Sequence, residues 1–136
     1  MARFRDAQEV YATLGAFFGA LDADPELGPR FREADTVIRY VYRKPDAQIT
    51  IRMAPGQEGQ VDFGPSTLEP EVTMTMDADV AHRFWLGKVN VPFAIARGQI
   101  RTSGPVAKVL GLAPLVKEAI PRYRAQLEAA GRRDLL

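Results

Sequence analysis

A chain of 136 residues, 46% hydrophobic and 26% charged, is long enough for one domain with its own core and too apolar for general disorder. The absence of cysteine excludes disulfides, thiolate metal sites and a cysteine nucleophile, and 18 Lys and Arg against 17 Asp and Glu leave no global field to draw the chain onto nucleic acid. No apolar run is long enough to span a bilayer, and the opening MARFRDAQEV carries acids where a signal peptide needs an apolar stretch, so a cytoplasmic protein is expected.

Val10, Leu14, Phe17, Phe18 and Leu21 recur at three- and four-residue spacing, which predicts a helix from Asp6 to Leu21 with one buried stripe. Asp24-Pro25 then caps a short second helix from Pro25 to Glu33, interrupted near Gly28-Pro29. The period changes to two. Ile38, Tyr40 and Tyr42 alternate with Val37, Arg39, Val41 and Arg43; after a Lys44-Pro45-Asp46-Ala47 turn, Ile49, Ile51 and Met53 alternate with Gln48, Thr50 and Arg52, so the two strands form a hairpin.

Gln60 to Phe63 is a short strand, and Gly64 to Pro70 a loop. In the strand Glu71 to Met76, Val72, Met74 and Met76 share a face, adding flexible thioethers to it. Asp77 or Asp79 caps a helix from Ala78 to Leu86, ended by Gly87. A brief apolar segment, Val91 to Ala96, leads to a last strand, Gln99 to Ser103. The final helical region carries Val106, Val109, Leu110, Ala113, Val116, Ile120, Tyr123 and Leu127, and Pro114 and Pro121 should kink it into two or three segments before a frayed tail, Arg132 to Leu136. The expected class is α+β: one domain over 1–136, a mainly antiparallel sheet with helices packed on one face.

Catalytic and cofactor chemistry finds little support. The single histidine, His82, has Asp79 one turn away but no serine nucleophile at a recognisable spacing, and both read as solvated helix residues. Gly56-Gln57-Glu58-Gly59 lacks the lysine of a phosphate loop, and no metal-ligand spacing surrounds His82, so neither a metal nor a cofactor is expected. What remains is an apolar surplus around Phe84-Trp85-Leu86, Val91, Phe93 and Ile95 and along the kinked final helices. It fits a plain core, or a cavity under a helix that packs imperfectly.

From Glu71 through Leu112 the chain resembles the sterol carrier protein 2 (SCP2) sterol-binding domain family, in the strand VTMTMDAD, the helix with FWLGKVN, the segment PFAIARGQIRTSG and the helix GPVAKVLGL. Gly87, Lys88, Gly98, Ile100, Gly104, Ala107, Lys108 and Leu110 occupy the places of the family pattern. Gln99-Ile100-Arg101 stands where the family usually has Lys-Ile-Lys, and the doubled proline interruption is a second departure. The resemblance implies a five-stranded sheet and an apolar tunnel between it and the C-terminal helices, holding a sterol, fatty acid, fatty acyl-CoA or phospholipid. Its wall is expected at Met74, Met76, Phe84, Trp85, Phe93, Ile95, Ile100, Val109, Leu110, Leu112 and Val116, with Arg97 or Lys88 meeting a charged head at the mouth.

The leading expectation is therefore a non-catalytic carrier of an apolar ligand, in transient contact with a membrane or an enzyme. One alternative is an accessory domain that presents a lipidic intermediate to a biosynthetic enzyme, docking through the Arg-rich stretch Arg122 to Arg133. Another is a small enzyme in which Asp62 or Asp79, raised in pKa by an apolar pocket, acts as general base.

Overall fold

The structure is a computed structural model that describes residues 3–136. Asp6 opens the first helix by accepting the Glu9 N–H at 2.9 Å, and helical backbone then runs through α1 (Ala7–Val10), a π-helical stretch (Tyr11–Gly15) and α2 (Ala16–Ala23). The apolar spacing predicts the helix and not the π turn, which lies where Gly15 lets the Phe63 ring approach: a Cβ on Gly15 would come within 2.5 Å of that ring. The Asp24 carboxylate accepts the N–H groups of Glu26 and Leu27 at 2.9 and 2.8 Å and so starts α3 (Leu27–Arg32), which, against expectation, runs through Gly28-Pro29 unbroken because Pro29 lies in its first turn, where no donor is lost.

Five strands follow, β1 (Thr36–Arg43), β2 (Ala47–Met53), β3 (Gln60–Phe63), β4 (Val72–Asp77) and β5 (Ile100–Ser103), in the spatial order β3-β2-β1-β4-β5. The β1–β2 hairpin pairs Ile38 with Ile51 and Tyr40 with Ile49, and β1 pairs Tyr40 with Met74 and Tyr42 with Met76 of β4. In that register the period-two residues of every strand fall on one apolar face, extended by Ile100 opposite Met76. Three pairings are antiparallel, as expected, and the central β1–β4 pair is parallel. The loop between β3 and β4 accounts for it. Ser66 hydrogen-bonds Asp62 at 2.7 Å and the Arg39 guanidinium donates to the Leu68 carbonyl at 2.8 Å, so the loop recrosses the polar face and delivers β4 beside β1 in the same direction.

The helices lie on the apolar face: α4 (Ala78–Trp85), α5 (Val91–Ala96), α6 (Val106–Leu110) and α7 (Ala113–Ala129). The segment Val91–Ala96 is a helix that the sequence reading left unassigned, although Asn90, whose side chain accepts the Phe93 N–H at 3.0 Å, and Pro92 in the first turn are both helix-start residues. Pro114 is likewise in the first turn of α7, where no donor is lost, and α7 continues past Pro121 as one element. The final helical region is thus two segments, divided at Gly111-Leu112.

Two expectations fail at the far end of the chain. The tail is docked: Arg133–Leu135 forms a 3-10 turn and Leu135 is 2% exposed. His82 is buried at the same place, 2% exposed, and not solvated. Its Nε2 lies 2.7 Å from the Leu135 carbonyl, which can only accept, so Nε2 carries the proton; Nδ1 then accepts the Tyr123 hydroxyl at 2.8 Å. A neutral imidazole satisfies both partners. Burial, aided by Arg3 and Lys88 and opposed by the Leu135 carbonyl and Asp79, holds its pKa below the ordinary value.

Two stability measurements check this account. Gly104 has φ +89°, and a Cβ there would meet the Glu71 carbonyl oxygen, whereas Gly98, at φ +75°, faces open space. Gly104→Ala should therefore cost about 3 kcal/mol in urea unfolding, combining backbone strain with a clash, and Gly98→Ala only about 1 kcal/mol. The unfolded histidine binds protons more readily than buried His82, so stability should be lost as pH falls below about 6.5, by at most about 1.4 kcal/mol per pH unit. Urea titrations between pH 7 and pH 5, taken as rough bounds of that window, should show this slope in the native chain and a flatter one in His82→Gln.

Candidate functional site

Ridges of α2 and α4 press on the apolar face of the sheet through aromatic side chains. Phe18 stacks on Tyr40 with ring centroids 5.3 Å apart, and Trp85 meets Phe17 and Phe18 edge-on at 5.0 and 5.8 Å. At the C-terminal side this contact stops. No residue of α6 is buried, and α7 reaches full burial only from Ala119 onward. Between the sheet and these helices lies a cavity of about 540 Å³.

The sheet contributes Ile38, Tyr40, Tyr42, Ile51, Met53, Met74, Met76 and Ile100 to its wall. Phe18, Leu21 and Phe31 close one side, and Ala81, Phe84, Trp85, Val89 and Val91 another. The roof is made by Val109, Leu110, Leu112, Val116 and Ile120. Of the eleven residues expected as wall, nine surround this one space: Met74, Met76, Phe84, Trp85, Ile100, Val109, Leu110, Leu112 and Val116. Phe93 and Ile95 are not among its lining residues; α5 turns Phe93 outward, 56% exposed, and presents Val91 and Pro92 to the cavity instead.

The sequence reading missed the walls from the first half of the chain, Tyr40, Tyr42, Ile38, Ile51 and Met53 above all. Their alternation did place them on one face, but only the β1–β4 register shows that this face is continuous with Met74 and Met76.

Polar groups on the wall are few. The Asp22 carboxylate is occupied by Arg32 at 2.8 Å and by the Gly59 N–H at 3.1 and 3.2 Å. Burial pushes the Tyr40 phenol up to about 12 and Tyr42 well above its usual value, so both are neutral donors at any physiological pH. The Tyr42 hydroxyl is buried and has no hydrogen-bond partner among the described residues. Lys117 is the exposed cation at the rim. Neither Arg97 nor Lys88 lines the cavity: the Arg97 guanidinium lies over the Phe93 ring at 5.2 Å, and Lys88 stands between the lining residues Gly87 and Val89.

The other expected sites are engaged differently. Asp62 is on the polar sheet face, where the Ser66 hydroxyl and the Gln60 amide hold its carboxyl below the usual range, the reverse of a raised general base. Asp79 accepts the Arg3 backbone N–H at 2.9 Å and does not line the cavity. In the stretch Arg122 to Arg133, Arg122 pairs with Asp24, Arg124 donates to the Leu86 carbonyl at 2.9 Å, and Arg132 pairs with Asp134 at 3.0 Å. Three of these arginines therefore tie the fold together.

Similarity to known proteins converges on one family. The fold is similar to that of a sterol carrier protein domain 2 from Helicoverpa armigera, with a TM-score of 0.67 at 20% identity over 89% of this chain and 95% of that one. It is similar to sterol carrier protein 2 from Yarrowia lipolytica in its apo form, with a TM-score of 0.62 at 18% identity over 88% and 98%. A third similar structure is UbiJ-SCP2, a ubiquinone synthesis protein, with a TM-score of 0.61 at 17% identity over 81% and 95%. No curated protein sequence matches the chain. The SCP-2 sterol transfer family model matches residues 17–117, which contain the whole sheet and most of the cavity wall, and the chain belongs to that family.

Proposed function

We propose that this protein binds an apolar lipid in the cavity between sheet and C-terminal helices and carries it without chemical change. The observation that carries the reading is the cavity itself: about 540 Å³, within the roughly 300–1,000 Å³ of small-molecule sites, walled by aliphatic, thioether and aromatic side chains. A ligand there gains on the order of 25 cal/mol for each Å² of apolar surface removed from water, before ordering costs. Met53, Met74 and Met76 give the sheet wall side chains that adapt to different ligand shapes. Lys117 at the rim offers a cation to an acidic head group while the tail lies inside.

A second reading has support in the likeness to UbiJ-SCP2, a ubiquinone synthesis protein: the same cavity holds an apolar intermediate for a biosynthetic enzyme. The two readings share the cargo site and differ in who receives the cargo. Retention of an enzyme partner by the loaded protein, and not by the empty one, would favour the second.

Native mass spectrometry of the purified protein should show a stoichiometric apolar adduct. Titration with a fluorescent fatty acid should change the emission of Trp85, the single tryptophan, which lines the cavity. Val116→Phe narrows the roof at a half-buried position and should weaken binding about tenfold or more with little loss of stability. A clean unliganded mass together with unchanged Trp85 emission would sink the carrier reading. Tyr42→Phe removes a buried hydroxyl that has no partner, and should stabilise the empty protein by about 1 kcal/mol in thermal or urea unfolding.

A further inference from the structure

A polar atom on an apolar wall is costly unless it meets a partner. Among the titratable lining residues, Asp22 is held by Arg32 at 2.8 Å and by the Gly59 N–H, and Lys117 is exposed at the rim. Two phenols are left, both on the sheet. Tyr42 is 1% exposed, and its hydroxyl has no hydrogen-bond partner among the described residues.

The register explains why the sheet supplies none. Tyr42 sits opposite Ala47 of β2, which has no side-chain polar atom, and Met76 of β4, which has only a thioether. The ring itself is well placed. It lies 6.0 Å from the Tyr40 ring and 6° from parallel, and Phe18 stacks on Tyr40 at 5.3 Å. A phenylalanine at position 42 would keep that stack and lose only the unpaired oxygen, so packing accounts for the ring and not for the hydroxyl. Burial keeps both phenols protonated, hence donors.

We infer that Tyr42 donates a hydrogen bond to a neutral carbonyl oxygen of the cargo, a ketone or an ester carried on its apolar part. This rests on the lipid-carrier reading and narrows it to a class of cargo. Charge decides against a carboxylate at this place: among the described residues Lys117 is the one cation on the wall, and it stands at the rim. A carboxylate buried without a counter-charge is strongly disfavoured. Donor counting decides against a cargo hydroxyl. It would bring an O–H of its own to a wall whose neighbouring polar group is another phenol, so one donor would stay unmet. A carbonyl oxygen brings lone pairs and no donor, whereas plain hydrocarbon leaves Tyr42 as it is. Met76, unbranched and flexible beside Tyr42, can shift to admit the oxygen.

The test uses two probes of one chain length, dodecan-2-one and dodecane, titrated into the full chain and followed by Trp85 emission. Tyr42→Phe should weaken dodecan-2-one binding about tenfold, the worth of one buried hydrogen bond left unmade, and leave dodecane binding unchanged. Infrared spectra of the bound ketone supply a readout that ring shape does not move. Its carbonyl stretch should lie below the value in an alkane solvent in the native chain, and return to that value in Tyr42→Phe. Equal loss of both probes in the variant would mean that the ring and not its hydroxyl holds the cargo, and would overturn the inference. An unchanged ketone affinity, or a carbonyl stretch at the alkane-solvent value in the native chain, would overturn it too. The carrier reading survives all three results, because both probes still bind the native chain. Binding of neither probe to the native chain removes the carrier reading, and this inference with it.

Discussion

A column of aromatic rings stands between the sheet and the helices, and the rest of the molecule is spaced by it. Tyr42 lies against Tyr40 at 6.0 Å, Tyr40 against Phe18 at 5.3 Å, Phe18 against Trp85 at 5.8 Å, Trp85 against Phe17 at 5.0 Å, and Phe17 against Tyr123 at 4.9 Å. All fall in the range where paired rings attract beyond their area burial. The column passes from β1 through α2 and α4 to α7, so it sets how near those helices come to the sheet. Phe17 and Tyr123 belong to the closed core, while Tyr42, Tyr40, Phe18 and Trp85 are at once core and cavity wall. Where the rings end, α6 and the start of α7 offer only half-buried or exposed aliphatic side chains over the same sheet, and the space beneath them stays open.

The closed half is secured by buried polar contacts, whereas those of α6 and the start of α7, Lys108 with Glu71 and Glu118 with Arg30, are exposed. Tyr123 extends the column to His82, which passes the link to the Leu135 carbonyl, so the C-terminal turn is latched to α4 across 53 positions of sequence. Each buried polar atom in that chain is satisfied, as a low-dielectric interior requires. Among the described residues the Tyr42 hydroxyl is the exception, and it is found on the cavity side. A buried phenol without a partner costs free energy that a plain core would have eliminated by using phenylalanine.

Much of this was legible in the residues. The period-two runs gave the hairpin and the shared face of Met74 and Met76, Asp24 gave a helix start, and the ordered set of motifs from Glu71 through Leu112 carries the resemblance to the family. What stayed hidden depends on distance in space. The parallel β1–β4 pairing follows from a loop held to the polar face by Arg39 and Asp62, and no local pattern encodes which strand β4 will join. His82 looked solvated because its partners, Tyr123 and Leu135, are 41 and 53 residues away. Phe93 looked like wall because hydrophobicity was the signal, yet a six-residue helix must turn one of its apolar residues outward, and the Asn90 cap decides which.

Retaining an opening is itself a constraint on packing. A longer α6, or one with a leucine-rich inner stripe, would cover the sheet and gain the burial that Leu110 and Val109 now forgo. The chain instead breaks the roof at Gly111-Leu112, and α7 starts afresh at Ala113 with Pro114 in its first turn, where the missing donor costs nothing. Phe17, Tyr123 and the His82 latch, by contrast, belong to the closed core and line no part of the cavity. The proposed carrier reading needs such a space: α6, with no buried residue, leaves open over the sheet what the aromatic rings close on the other side.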